Sequence, residues 1–111
     1  MDLSRMKCKP CEGGVEPFTA EQAATYLKEV SGWSIAPDGL SITKKYRFKN
    51  FKEALAFVDR VGEIAENEGH HPDINLGWGR VKITLSTHAI QGLSDNDFVL
   101  AYKIDAHAVH G

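Results

Sequence analysis

No segment of this 111-residue chain approaches the roughly 20 consecutive apolar residues of a membrane-spanning helix. The polar opening from Met1 to Lys9 has no apolar core of a signal peptide. A cytoplasmic protein without a membrane partner is therefore expected. Charge of one sign is lacking too, with 13 Lys and Arg interspersed among 15 Asp and Glu for a net −2. That composition offers no basic face for a nucleic-acid backbone, so no direct nucleic-acid partner is expected. Cysteine is scarce: Cys8 and Cys11 form one Cys-Lys-Pro-Cys pair, and a closed tetrahedral zinc would need a second. A redox role would want the pair beside a strand opening into a helix, yet Glu-Gly-Gly follows. The pair reads as part of an arm without chemistry, or as half of a metal site or disulfide shared between subunits. P-loop, Gly-x-Gly-x-x-Gly and nucleophile-elbow motifs are missing, as are internal repeats and linkers.

What is present is one domain's worth of chain, 42% hydrophobic and 25% charged, enough to bury a single core. Residues 1–17 hold two glycines in a row and two prolines without periodicity, and read as an irregular N-terminal arm before one domain over 18–111. Thr19 and Gln22 have the form of a capping box, predicting a helix over 20–30 with Ala23, Tyr26, Leu27 and Val30 on one face. Two strands should meet at Pro37-Asp38-Gly39. In the second, Leu40, Ile42, Tyr46 and Phe48 share a face whose lone exception is Lys44. Asn50 can cap a long helix over 51–68, with Phe51, Ala54, Leu55, Val58, Val61 and Ala65 at helical spacing and Gly69 as its stop.

The alternation resumes at Ile74, turns at Gly79-Arg80 and runs to His88, predicting a hairpin. Val81, Ile83, Leu85 and Thr87 fall on one side of it. His88 projects from the polar side or frays off the strand end. Ser94 caps a third helix with Asp97 at its third position, and Phe98, Ala101, Tyr102 and Ala106 line a face apolar except at Asp105. The order α-β-β-α-β-β-α predicts an α+β fold, a four-stranded antiparallel sheet with three helices packed on one face.

Three of the five histidines, His70, His71 and His88, lie between Glu66 and His88. Imidazole titrates near neutrality, so a cluster of three beside Glu66 or Glu68 suits general acid–base work without a cofactor. His70 and His71 sit on a corner, because Pro72 disfavours helical dihedrals at His71. In extended backbone they point opposite ways, suiting two jobs. Surface histidines are the bland alternative. Zinc is the sharper one, since three imidazoles can hold it with an open site, although adjacent His-His is a poor chelating spacing. Trp33 and Trp78 are core or edge aromatics by default, though either could stack on a flat ligand. Asp97 is explained by the helix N-terminus, and His107 and His110 fall in a tail.

Glu66-x-x-x-His70-His71-Pro72, Trp78, His88 after nine intervening residues and Asp97 after eight more resemble the signature of the pterin-4a-carbinolamine dehydratases. The resemblance extends through Gly32-Trp33, the run from Val81 to His88 and Gly92-Leu-Ser, covering about residues 15–106. The cysteine arm is similar to an extension of some members. The resemblance implies an enzyme that dehydrates 4a-hydroxytetrahydropterin to quinonoid dihydropterin, recycling the cofactor of aromatic amino acid hydroxylases, with no metal or redox cofactor of its own. By analogy His70 and His88 transfer protons and His71 chiefly binds and orients the pterin. Glu66 tunes the imidazoles, and Trp33, Pro72 and Trp78 complete the substrate site. The resemblance further implies a homodimer or homotetramer and a hydroxylase as pathway partner. Some members instead bind a homeodomain transcription factor, and certain relatives are assembly chaperones for a carbon-fixing enzyme, which makes a protein-binding module the alternative.

Overall fold

Side-chain caps set where each helix begins. In the computed structural model, which describes residues 2–9 and 15–108, Thr19 accepts from the Gln22 amide and Gln22 accepts from the Thr19 amide, opening α1 (Ala20–Leu27). Asn50 accepts from the Glu53 amide at 2.8 Å to open α2 (Phe51–Glu68). Ser94 and Asp97 form a second capping box at the start of α3 (Asp95–His107). α1 stops three residues short of the expected end. Amides of Glu29 and Val30 bond back to Tyr26 and Leu27, tightening the last turn, yet Val30 stays buried. α2 has the expected bounds, and Gly69 closes it at φ 68° with its amide on the Ala65 carbonyl.

Four strands, β1 (Ser34–Ile35), β2 (Ile42–Arg47), β3 (Asp73–Gly77) and β4 (Arg80–Leu85), form one antiparallel sheet in the order β1-β2-β4-β3. The α+β fold and the order of its elements are those expected. The hairpin turn is Trp78-Gly79 rather than Gly79-Arg80, because Arg80 already pairs with Gly77 and Arg47. A side chain at position 79 would sit 2.9 Å from the Phe48 carbonyl, so the close approach of β2's end requires glycine there.

Ile42, Tyr46, Val81, Ile83 and Leu85 form the sheet's buried face, with α2 against it, α3 packed on α2 and α1 packed on α3. Tyr26 of α1 meets the Phe98 ring of α3 at 5.4 Å. The expected apolar face of α2 is corrected in part. Phe57 is fully buried, whereas Phe51 is 45% and Leu55 41% exposed. The core face runs Ala54, Phe57, Val61, Ala65, and the other apolar residues form a second stripe beside it. α3 buries more than one face, from Asn96 through Ala101 and again at Ile104, since α1, α2 and the arm all surround it.

The two polar exceptions on apolar faces meet each other. Asp105 of α3 accepts from Lys44 Nζ at 3.1 Å and the Tyr46 hydroxyl at 2.7 Å through one oxygen, and from Trp33 Nε1 at 2.9 Å through the other. Burial, then the hydrogen bond to Asp105, holds the Tyr46 phenol well above its ordinary range. Every buried side-chain nitrogen and oxygen among the described residues has a partner.

The described part of the arm is docked rather than loose. Leu3, in a 3-10 turn (Leu3–Arg5) packed on α3, is only 3% exposed. Further along, the Cys8 amide donates to Glu68 Oε1 at 2.9 Å, and Lys103 Nζ donates to Glu68 Oε2 at 2.8 Å. Cys11 and His110, both singled out in the sequence, lie outside the described residues.

Truncating Phe57 to alanine should cost about 3–5 kcal/mol of unfolding free energy in urea titrations; a loss under about 1 kcal/mol would contradict the packing. Burial raises the Glu68 carboxyl, but the Lys103 ammonium and the Cys8 amide outweigh it and leave it below its ordinary 4.5. The sign follows from linkage: this stability is present above pH 4.5 and is lost as pH falls through the lower folded value. Glu68→Gln should therefore show a shallower loss of stability on acidification below that pH than the wild type.

Candidate active site

A carboxylate with no exposed surface lies at one end of the β3–β4 hairpin. Asp97, 0% exposed, faces His70 Nε2 across 2.6 Å with Oδ1. Its Oδ2 accepts from the Thr87 hydroxyl at 2.9 Å and from the Ser94 amide at 3.1 Å. A carboxylate ringed by donors only accepts, so His70 Nε2 carries a proton towards it. The Thr87 hydroxyl also lies 2.8 Å from Ser94 Oγ. Asp97 thus closes a helix cap and ties α3 to both sides of the hairpin mouth.

The local sequence explains how these groups meet. Gly69 turns the chain out of α2, and His70 and His71 follow in the segment leading to β3, His70 being 6% exposed and His71 open to solvent. Neighbours in extended chain face opposite ways. His71 Nε2 bonds the carboxylate of Glu66, in the last turn of α2. Pro72 is half-buried between His71 and the first residue of β3. Strand register pairs Asp73 with Thr84; continued past the strand ends, it sets position 70 against position 87. Thr87 is 2% exposed, on the core side as its parity requires.

His88 leaves the strand for a 3-10 turn (His88–Ile90) that ends at Gln91 with φ 55°. Its side chain is exposed and lines a cavity of about 180 Å³ with Leu40, Ser86, Gln91 and Gly92. Asp97 and Thr87 provide the connection between the two segments. Glu66 also borders a separate surface groove with Asp59, Gly62, Glu63 and Asn67. No three His, Cys, Asp or Glu side chains among the described residues are gathered as metal ligands.

The two tryptophans lie elsewhere. Trp33 is 5% exposed, with its indole N–H on Asp105. Trp78, 69% exposed, sits at the hairpin turn beside Arg47 and Arg80, about 17 Å of strand from the histidines. Asp97 is the member of this cluster that composition and periodicity concealed, because its helix-capping position accounted for it. The spacing His88-x8-Asp97 was the signal available.

A protein-family model described as pterin 4 alpha carbinolamine dehydratase matches residues 16–107. The chain belongs to that family. It is 47% identical over 104 residues, 94% of this chain and 96% of the other, to a protein of Rubrobacter xylanophilus provisionally named pterin-4-alpha-carbinolamine dehydratase. A Halorhodospira halophila protein with the same provisional name is 48% identical over 106 residues, 96% of this chain and 97% of the relative. Among solved structures, the fold matches a transcriptional coactivator/pterin dehydratase of Brucella melitensis with a TM-score of 0.78 and 30% identity, covering 84% of this chain and 99% of that one. A pterin dehydratase-like RuBisCO assembly factor of the alpha-carboxysome matches with a TM-score of 0.58 and 26% identity, covering 68% of this chain and 87% of that one.

Replacing Asp97 with alanine should leave the buried Thr87 hydroxyl, the Ser94 amide and the His70 ring without their acceptor, costing about 3–5 kcal/mol of stability in urea unfolding. A cost under about 1 kcal/mol would show that the cluster does not hold the two segments together.

Proposed function

We propose that this chain catalyses the dehydration of a 4a-hydroxytetrahydropterin to quinonoid dihydropterin by histidine acid–base chemistry. The observation that carries the proposal is the buried Asp97 carboxylate, which fixes the ring of His70 next to the strand end that delivers His88. In the reaction the C4a–O bond breaks with protonation of the leaving hydroxyl, which departs as water. N5 gives up its proton and the N5–C4a bond becomes double. One group must donate and one accept, and imidazoles do both near neutrality. His70, held through Nε2, and His88 on its turn are the two proton-transfer groups. His71, oriented by Glu66, binds and orients the pterin. Pro72 holds the corner from which both rings project. Trp33 and Trp78 keep weaker claims as substrate contacts, since Trp33 is committed to Asp105 and Trp78 lies at the far end of the hairpin.

The family and the provisional names of its relatives support this reading. It places the chain in reduced-pterin recycling, in the cytoplasm, as a pathway partner of an aromatic amino acid hydroxylase. A homodimer or homotetramer is supported by the exposed Phe51 and Leu55 on α2 and by β3, an edge strand of the sheet. The second reading is a protein-binding module on the same fold, favoured by the likeness to the RuBisCO assembly factor. Retention of His70, His71 and His88 favours catalysis.

Single alanine substitutions at His70 and His88, assayed on each 4a epimer, should each lower the dehydration rate by about 10²- to 10⁴-fold. Unchanged rates in both variants would remove their roles, and a wild-type protein without activity would leave the binding reading. Sedimentation of the wild type should give a dimer or tetramer, and Phe51→Asp should shift it towards smaller species.

A further inference from the structure

The sequence motif that the proposed chemistry leaves unused is the N-terminal arm, which precedes the family match at residues 16–107. Its described part bridges two helix ends. At the end of α2, the Cys8 amide donates to Glu68, which lies two residues before His70. At the start of α3, the Asn96 carboxamide grips one residue of the arm from both sides, accepting from the Lys9 amide and donating to the Lys9 carbonyl, each at 2.8 Å. This pair mimics a β-bridge, and Asn96 is 4% exposed and adjacent to Asp97. The Cys8 thiol adds a contact to the Asn96 carbonyl at 3.5 Å, and Lys9 Nζ lies 3.6 Å from Asp95.

The two helix ends joined by the arm are those that carry the two partners of the buried His70–Asp97 bond. Between Glu68 and His70 there is only Gly69, in a left-handed conformation with nothing within 4 Å of where a side chain would begin. The amides of Gly69 and His70 both bond the Ala65 carbonyl, so the His70 backbone moves with the end of α2 and its placement against Asp97 depends on what holds α2 and α3 together at this end. Glu68 does so twice, through Lys103 of α3 and through the arm.

We infer that residues 2–9 form a strap that positions the His70–Asp97 pair, with Glu68 and Asn96 as the positioning residues on which it fastens. The inference deepens the dehydratase reading and rests on it only for the identity of the ligand. The strap does its work through geometry: released, it lets the end of α2 move relative to the start of α3, and the His70 ring loses its fixed orientation. Misplacement by about 1 Å can cost up to about 10²-fold in rate. By reciprocity, a ligand that requires the fixed ring must tighten the strap.

The Cys8 thiol provides the readout. Burial, then the Glu68 carboxylate, pushes it up to about 12, so a docked strap leaves it slow to alkylate. The full chain carrying Cys11→Ser is labelled with iodoacetamide, with and without 7,8-dihydropterin as probe. The same protein is followed by proton NMR for the downfield resonance of the His70 imidazole proton bonded to Asp97. Two variants release the strap from opposite sides. Asn96→Ala removes the grip from α3, and Lys9→Pro removes the gripped amide from the arm while leaving the domain intact should the first fail to fold. Both should raise the alkylation rate about tenfold or more, broaden or abolish the His70 resonance, and lower kcat about tenfold with KM nearly unchanged. Dihydropterin should slow alkylation of the wild type. Faster alkylation and a lower Tm with the His70 resonance and kcat unaltered would overturn the inference, reducing the arm to a stabilising element. A wild type without dehydratase activity whose His70 resonance still depends on Lys9 and Asn96 would overturn the function and leave the strap standing.

Discussion

A carboxylate sealed from water and surrounded by donors is the constraint around which this end of the molecule is built. Asp97 has no solvent to stabilise its charge, so every lone pair it presents must find a protein donor. The hydroxyl of Thr87, the amide of Ser94 and the ring of His70 supply them. Those donors come from a strand end, from the helix cap shortly after it and, from earlier in the chain, the corner after α2. Removing any one leaves polar atoms orphaned in a dry place, which is why the helix start, the hairpin mouth and the histidine corner are fixed together. Orientation of an imidazole by a buried carboxylate follows from that packing.

A second carboxylate, half-buried, shows the same physics used for structure. Asp105 and Lys44 each interrupt an apolar face and together satisfy one another, with Tyr46 and Trp33 filling the remaining positions. The group fastens α3 to β2 and to the chain just before β1, about three turns beyond the helix cap that the first carboxylate closes. α3 is therefore held at its start by the hairpin mouth and near its end by the sheet. This accounts for its burial on nearly all sides, although its sequence shows only a weak apolar stripe.

Several features were legible from local pattern. The helix caps at Thr19, Asn50 and Ser94, the stop at Gly69 and the alternation of β4 all depend on residues within four positions of each other, so their chemistry is written in adjacent letters. The second apolar stripe of α2 was misread for the opposite reason. Phe51, Leu55 and Val58 have the spacing of a core face, but which of two neighbouring stripes turns inward is decided by what the sheet presents. Phe57, against the rings of Tyr46 and Phe48 at 4.6 and 5.1 Å, won the interior. The docking of the arm escaped the reading because its contacts reach 60 or more residues away.

The sequence by itself determined the order of elements, the α+β class and the residue types from which a proton-transfer site could be assembled, because period, capping and side-chain chemistry are local properties. Only the tertiary structure decided which histidine would be sealed against a carboxylate and which would face solvent. It also decided that a residue explained as a helix cap would be the hub of the cluster, and that Trp33 would be tied to Asp105. Those outcomes depend on which distant donors and acceptors are excluded from water together, and no stretch of chain contains that information alone.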